Sequence, residues 1–353
     1  MDIRIFSPDI LPIGIIDNYI SLQWMSKYTS AGSFTLRAAM TSQAKKLISK
    51  GNLLYTGDKA GYIQAVQYDM ADGGETITAH GKDLNGLLGQ RINWQTLTYT
   101  GAAEGFLRQM VDSNAITAMA SRVIPRLQLG ALQGYTETIS KQDSYSNLLD
   151  ALTETAEASG LGFQISLDPS AQKMLFEVYK GTDRTADQSA VPPAIFAREF
   201  ENILSLSYYD SLVDYRNVAL VGGAGEGSDR SLETVGTASG LDRYELFVDA
   251  SGVQQTTDGT SLTADQYSAL LQQNGTEALT QYPSVQTFDG EINMITAPYL
   301  HVGDLVTVRD EKWGVTANVR ITEIQEFIES SGKTMNITFG DHIPTIYDRL
   351  RRG

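Results

Sequence analysis

The 353-residue chain contains no cysteine. That removes disulfides, thiolate metal sites and cysteine nucleophiles together. Histidine is scarce: only His80, His301 and His342 are present. None has a neighbour spaced as a zinc site needs, and neither H-E-x-x-H nor G-x-S-x-G occurs. No run of about 18 apolar residues is present, so no helix is long and apolar enough to cross a membrane. The opening Met1-Asp2-Ile3-Arg4-Ile5 alternates like a strand and lacks the basic start and apolar stretch of a signal peptide, so folding in a cytoplasm is expected. Basic residues are in deficit. With 27 Lys and Arg against 42 Asp and Glu, the formal net charge is −15. Gripping a phosphate backbone needs the opposite balance.

What is present is an echo. Near the start run Gly51-Asn52-Leu53-Leu54, Gly61-Tyr62-Ile63 and Gly74-Glu75-Thr76-Ile77-Thr78, closing on Gly81. Near the end run Gly303-Asp304-Leu305-Val306, Gly314-Val315, Gly332-Lys333-Thr334 and Ile337-Thr338, closing on Gly340. Each reads as three strands joined by polar and glycine turns. Internal repetition points to a repeated structural unit, and two such units per chain can stand in for two subunits of a symmetric ring.

The texture divides the chain. Residues 1–92 read as mostly strand, with Phe34, Leu36 and Ala38 alternating and a short helix capped by Thr41 that stops at Gly51. Residues 93–202 read as an α+β insert. One helix is predicted to open at Thr100 and bury Ala103, Phe106, Leu107, Met110 and Val111. A second is predicted from Asp143 or Ser144 to Gly160, burying Tyr145, Leu148, Leu149, Leu152 and Ala156. A hairpin over 163–179 turns at Asp168-Pro169-Ser170. Residues 203–222 and 284–341 return to strand, with Val315, Ala317, Val319 and Ile321 alternating. Between them, 223–283 is an acidic insert in which only Arg230 and Arg243 offset the carboxylates. Its helix, 264–282, carries a Thr263/Gln266 capping box and a Tyr267, Leu270, Leu271, Ala278 stripe. Residues 342–353 are a tail.

Chemical candidates are few. The glycines at 222–227 follow a strand but lack the lysine of a phosphate loop, and Glu226 and Asp229 would repel phosphate, so a tight turn between strands is expected. Glu199 and Glu201 would share one face of a strand, yet carboxylates are too common here for the pair to carry meaning. Asp341-His342 lacks a nucleophile. Trp24, Tyr28, Tyr208 and Tyr209 are expected in sheet cores more than at an interface. No catalytic, cofactor-binding or metal-binding residue is assigned.

Several stretches carry a family likeness: Ile20-Ser21-Leu22-Gln23-Trp24 through Ala31-Gly32-Ser33-Phe34-Thr35-Leu36, Phe176 through Thr185, and Glu201-Asn202-Ile203-Leu204. Gly225 through Arg230, Gly240-Leu241-Asp242-Arg243, Phe247-Val248-Asp249-Ala250, and Val302 through Val308 with Trp313-Gly314-Val315 extend it. In order and number they resemble the tail-hub proteins of long, non-contractile-tailed bacteriophages and related prophages of Gram-positive hosts. The resemblance implies a β-rich α+β multidomain fold, with two related tube-type β-barrel or sandwich domains carrying α+β insertions. It also implies a non-enzymatic homotrimer that closes the tail tube at the virion tail tip, converting sixfold to threefold symmetry. The partners it implies are the distal tail protein ring, the tape-measure protein C-terminus and tip fibre or spike proteins, with DNA passing through and no cofactor. Because the chain stops at Arg349-Leu350-Arg351-Arg352-Gly353, host-wall activity is expected from another protein. A receptor- or carbohydrate-binding module, needing a concave aromatic cleft, is the alternative. A wall hydrolase, needing a placed carboxylate pair or metal, ranks third.

Overall fold

The computed structural model describes residues 2–71, 74–257, 260–292, 300–330 and 332–340. The chain opens with β1 (Ile3–Phe6), β2 (Pro12–Ile16), β3 (Tyr19–Lys27) and β4 (Ser33–Ala39). In β4 the alternating Phe34, Leu36 and Ala38 are all buried, as one face of a strand against a core must be. Helix α1 (Ser42–Leu47) starts where the cap predicts: Thr41 Oγ1 accepts from the Ala44 N–H at 3.0 Å. Then β5 (Leu53–Tyr55), β6 (Ala60–Ala71) and β7 (Gly74–Asp83) form an antiparallel meander. Ile3, Ile5, Leu22, Trp24, Leu36 and Ile77 belong to the core these strands share.

The next stretch carries β8 (Thr96–Ala102), α2 (Ala103–Val111), β9 (Leu127–Leu129), β10 (Thr138–Ser144), α3 (Leu148–Ser159), β11 (Gly162–Asp168) and β12 (Lys173–Tyr179). Two helix starts differ from expectation. Thr100 opens no helix, because Thr96–Ala102 pairs as a strand with Thr138–Ser144, where Thr100 Oγ1 meets Ser140 Oγ at 2.9 Å. Helix α2 begins at Ala103, and the predicted apolar face Phe106, Leu107, Met110 and Val111 is fully buried. Asp143 and Ser144 end β10, and Asn147 caps α3 instead, accepting from the N–H groups of Leu149 and Asp150. Tyr145, expected in the core, lies in the connection with φ +57° and is exposed. The hairpin β11–β12 forms in the predicted place, and this core also takes in Phe6, Leu53 and Tyr62 from the first sheet.

The last stretch holds β13 (Asp183–Arg184), β14 (Ile195–Ala197), β15 (Ile203–Ser211), β16 (Val218–Gly222), β17 (Leu232–Val235), β18 (Glu245–Asp249), β19 (Thr256–Thr257), β20 (Thr260–Ser261), α4 (Ala264–Thr280), β21 (Val285–Ile292), β22 (Leu305–Asp310), β23 (Val315–Glu329) and β24 (Gly332–Gly340). Strands β16, β17 and β18 form a small sheet against which α4 buries Tyr267, Leu270 and Leu271. Both bonds of the capping box are present, Gln266 N–H to Thr263 Oγ1 at 3.2 Å and Thr263 N–H to Gln266 Oε1 at 2.9 Å. The large sheet runs β15-β21-β24-β23-β3-β4-β7-β6-β5-β1-β2. Strand is therefore the commonest regular structure, at 46% against 20% helix, as a β-rich α+β chain requires.

Within that sheet one five-strand unit occurs twice, in the same chain order: β3-β4-β5-β6-β7 and β15-β21-β22-β23-β24. The match reaches single hydrogen bonds. Gly51 N–H donates to Ile63 O and Ile63 N–H to Asn52 O; Gly303 N–H donates to Ile321 O and Ile321 N–H to Asp304 O. Gly51 and Gly303 have φ of +87° and +96°. The β6–β7 hairpin closes Ala71 on Gly74, and the β23–β24 hairpin closes Glu329 on Gly332. A bulge interrupts β6 between Ile63 and Ala65 and β23 between Ile321 and Glu323. Another interrupts β3 between Tyr19 and Ser21 and β15 between Ile203 and Ser205. Trp24 packs on Phe34 at 5.1 Å between ring centres, and Tyr208 on Phe288 at 4.7 Å, in equivalent places.

Two of the glycine correspondences in the echo are corrected. Gly61 lies inside β6 opposite Leu54, whereas Gly314 sits in the turn before β23, because the β22–β23 pairing is longer than β5–β6. Gly81 pairs with Phe34 but Gly340 with Thr287, one position out of step.

Candidate assembly interface

The two units meet at a seam inside the chain. Strand β3 pairs antiparallel with β23, from Ser21 opposite Glu329 to Lys27 opposite Glu323. With fifteen residues, β23 is long enough to hold β22 along its first part and β3 along its second. Lys27 Nζ pairs with Glu323 at 2.8 Å across it. Glu326, buried opposite Trp24, bonds Lys333 Nζ at 2.6 Å and Lys59 from the β5–β6 turn. Burial lowers the Lys59 ammonium to about 8, which still leaves it charged at neutral pH. One carboxylate thus holds two cations from different units, and apolar Leu22 and Trp24 close around it.

A second tie lies at the end of β3. The Tyr28 hydroxyl donates to Gly160 O at 3.0 Å, and the Arg320 guanidinium stands 5.1 Å over its ring. Asp304, 2% exposed, accepts from Thr182 N–H at 2.8 Å and pairs with Arg184 at 3.2 Å. The ends of β3 and α3, strand β13 and the β22–β23 pair are thereby fixed at one corner. Lys141, 7% exposed, is held by Glu154 at 3.2 Å and Glu277 at 3.5 Å, tying β10 and α3 to α4.

Besides the outer edges of β2, β13 and β14, the sheet leaves two strand edges without a partner strand among the described residues that correspond to the two sides of the seam. One is the outer edge of β15, which ends the sheet. The other is the far edge of β6 beyond its short pairing with β5, along Val66–Ala71.

The remaining candidates disperse. His80 is exposed on β7, its Nδ1 3.2 Å from Thr35 Oγ1, and His301 is exposed; His342 and Asp341 lie outside the described residues. Glu199 and Glu201 share no strand, because Arg198–Phe200 is a 3₁₀ turn and Glu201 caps it with φ +52°. The glycine run 222–227 connects antiparallel β16 and β17, as expected of a turn. Trp24 and Tyr28 are core residues, while Tyr208 is half-buried. Sequence reasoning missed Trp94, which lines a cleft of about 250 Å3 with Asn114, Gln109 and Arg122. Its ring is covered on one face by the Arg122 guanidinium at 4.3 Å, and the Asn114 amide is bonded to Met110 O and to Arg122. Among the described residues no three His, Asp or Glu side chains stand together as a metal site.

The arrangement is that of a scaffold, and the comparisons agree. The chain belongs to the siphovirus ReqiPepy6 Gp37-like family, which it matches over residues 2–341. It is a structural protein of the phage tail. Its fold is that of the tail protein from Neisseria meningitidis MC58, with a TM-score of 0.61 and 14% identity over 96% of each chain. The prophage tail protein gp18 from Listeria monocytogenes EGD-e gives 0.60 at 10% identity, covering 100% of this chain and 98% of that one. The 43 kDa tail protein of prophage MuSo2 from Shewanella oneidensis gives 0.59 at 15% identity, covering 96% and 98%. No curated protein matches the chain.

Proposed function

We propose that this tail protein is the hub at the distal end of the tail, a homotrimer whose ring closes the tail tube, adapts sixfold to threefold symmetry and lets DNA pass. The observation that carries this reading is the five-strand unit present twice in one continuous sheet, down to matching bulges and hydrogen bonds. Three copies would supply six equivalent units. In this reading the tube-type domains are 1–92 and 203–222 with 284–341, and the segments 93–202 and 223–283 decorate the ring. The role is structural rather than enzymatic. The ring would sit between a distal tail protein ring above and a fibre or spike below, with the tape-measure C-terminus reaching it from inside. The net charge of −15 supports a channel that phosphate backbones pass without being held.

Electron cryo-microscopy of the intact tail tip, without symmetry imposed at the hub, tests the proposal. Three copies in a closed ring, with the two units alternating around it, are expected. A peripheral location, or no ring built by these units, would discard the hub and bring forward a receptor-binding role.

A further inference from the structure

The within-chain seam is a template for a second junction that the chain cannot make with itself. In the seam β3, the outer strand of the first unit, lies on the second part of β23. The repeat makes β15 the counterpart of β3, and Val66–Ala71 of β6 the counterpart of that part of β23. Both counterparts are edges left open among the described residues. We infer that β15 of one copy pairs antiparallel with the Val66–Ala71 edge of β6 in a second copy, in the register the seam dictates. This deepens the hub proposal and rests on it for the number of copies.

The register follows from the matched bulges and rings. Trp24 faces Glu326 in the seam, which places Tyr208 opposite Tyr68 of the neighbour. Leu22 faces Ile328, which places Leu206 opposite Met70; Gln23 faces Phe327, which places Ser207 opposite Asp69. The chemistry agrees with the geometry. Tyr68 and Met70 are 54% and 83% exposed, on an edge of the kind proteins normally shield. Leu206 and Tyr208 are half-buried, while their seam counterparts Leu22 and Trp24 are buried at 1% and 2%. The free edges thus carry the apolar side chains that the filled junction has already buried. Where the seam has Glu326 held by two lysines, the copy-to-copy junction has a tyrosine pair, so the two junctions share backbone geometry but differ in their central contact.

The absence of cysteine makes the test clean, because every disulfide must come from introduced residues. Opposed residues on antiparallel strands have Cα atoms about 4.5–5.5 Å apart, within disulfide reach. Asp69→Cys with Ser207→Cys is therefore the in-register pair. Asp69→Cys with Ser211→Cys is the control, since Ser211 would lie four positions along the strand, about 13 Å away. Oxidation of the purified chain over a range of concentrations should give covalent species ending at the trimer from the first pair and none from the second. Met70→Asp, at a position exposed in the single chain, should leave its melting unchanged and weaken association by roughly tenfold or more.

A trimer by light scattering that forms no in-register disulfide, or cross-links equally in the control, overturns this register and leaves the trimeric hub standing. An open ladder of ever longer covalent chains upholds the strand pairing and removes the closed ring. A chain that stays monomeric at every concentration and forms no disulfide overturns the inference.

Discussion

Asp83 ends β7 with an uneven environment: its Oδ2 accepts from Gly32 N–H at 2.8 Å, while its Oδ1 is buried without a partner. Burial raises its carboxyl to about 6, against backbone N–H groups of Gly32, Gly86 and Asn85 that favour the anion. The folded-state value lies above the unfolded one, so between pH about 4 and 6 the native chain binds a proton that the unfolded chain has lost. This residue's contribution to stability therefore falls as pH rises through that window and is constant above it. Asp83→Asn should remove the slope. Urea midpoints of the parent and variant, compared at pH 4 and pH 6.5, should differ by amounts that change with pH, and a pH-independent difference would contradict the assignment.

At the scale of elements, the repeat offers a matched pair of glycines. Gly51 and Gly303 both need positive φ, which costs a residue with a side chain about 1–2 kcal/mol. At Gly51 an added Cβ would meet nothing nearer than Pro8 Cγ at 3.8 Å, whereas at Gly303 it would stand 2.5 Å from the buried Tyr28 ring. Gly51→Ala should therefore cost about 1–2 kcal/mol, and Gly303→Ala clearly more, since overpacking adds about 1–3 kcal/mol. Equal losses in chemical denaturation would show that Tyr28 yields. Helix starts divide on similar grounds. Thr41 and Thr263 are legible because each side chain caps its own helix within three residues. Thr100 misleads because its strand partner, Ser140, is remote in sequence and outweighs the local preference.

For the whole molecule, the seam decides whether the two units act as one body. Glu326 is the buried carboxylate that joins β23 to Lys59 of the first unit and Lys333 of the second. Glu326→Ala strands two partly buried ammonium groups and should cost about 3 kcal/mol. Hydrogen exchange should then quicken first in β3 and β23, ahead of the β11–β12 hairpin. If protection falls evenly, the seam is no weaker than the rest of the sheet and Glu326 is only one contact among many. At this scale Glu323, Glu326, Asp304 and Glu277 are structural anions, each holding a cation from another part of the fold, so the acidic excess comes from other carboxylates.

The sequence by itself determined what could be decided within a few residues. The strand alternations at Phe34–Ala38 and Val315–Ile321, the caps at Thr41 and Thr263, and the glycines at 51, 74, 303 and 332 all act through a single strand, turn or helix end. Only the tertiary structure decided how far the repeat extends. Between β15 and β21 the chain inserts residues 212–284, so the equivalence of Trp24 with Tyr208 and of Phe34 with Phe288 has no common spacing to betray it. The seam was hidden for the same reason: Lys59 and Glu326 are brought together by strand pairing across most of the chain, and hydrogen-bond registers of that range leave no periodic mark in the order of residues.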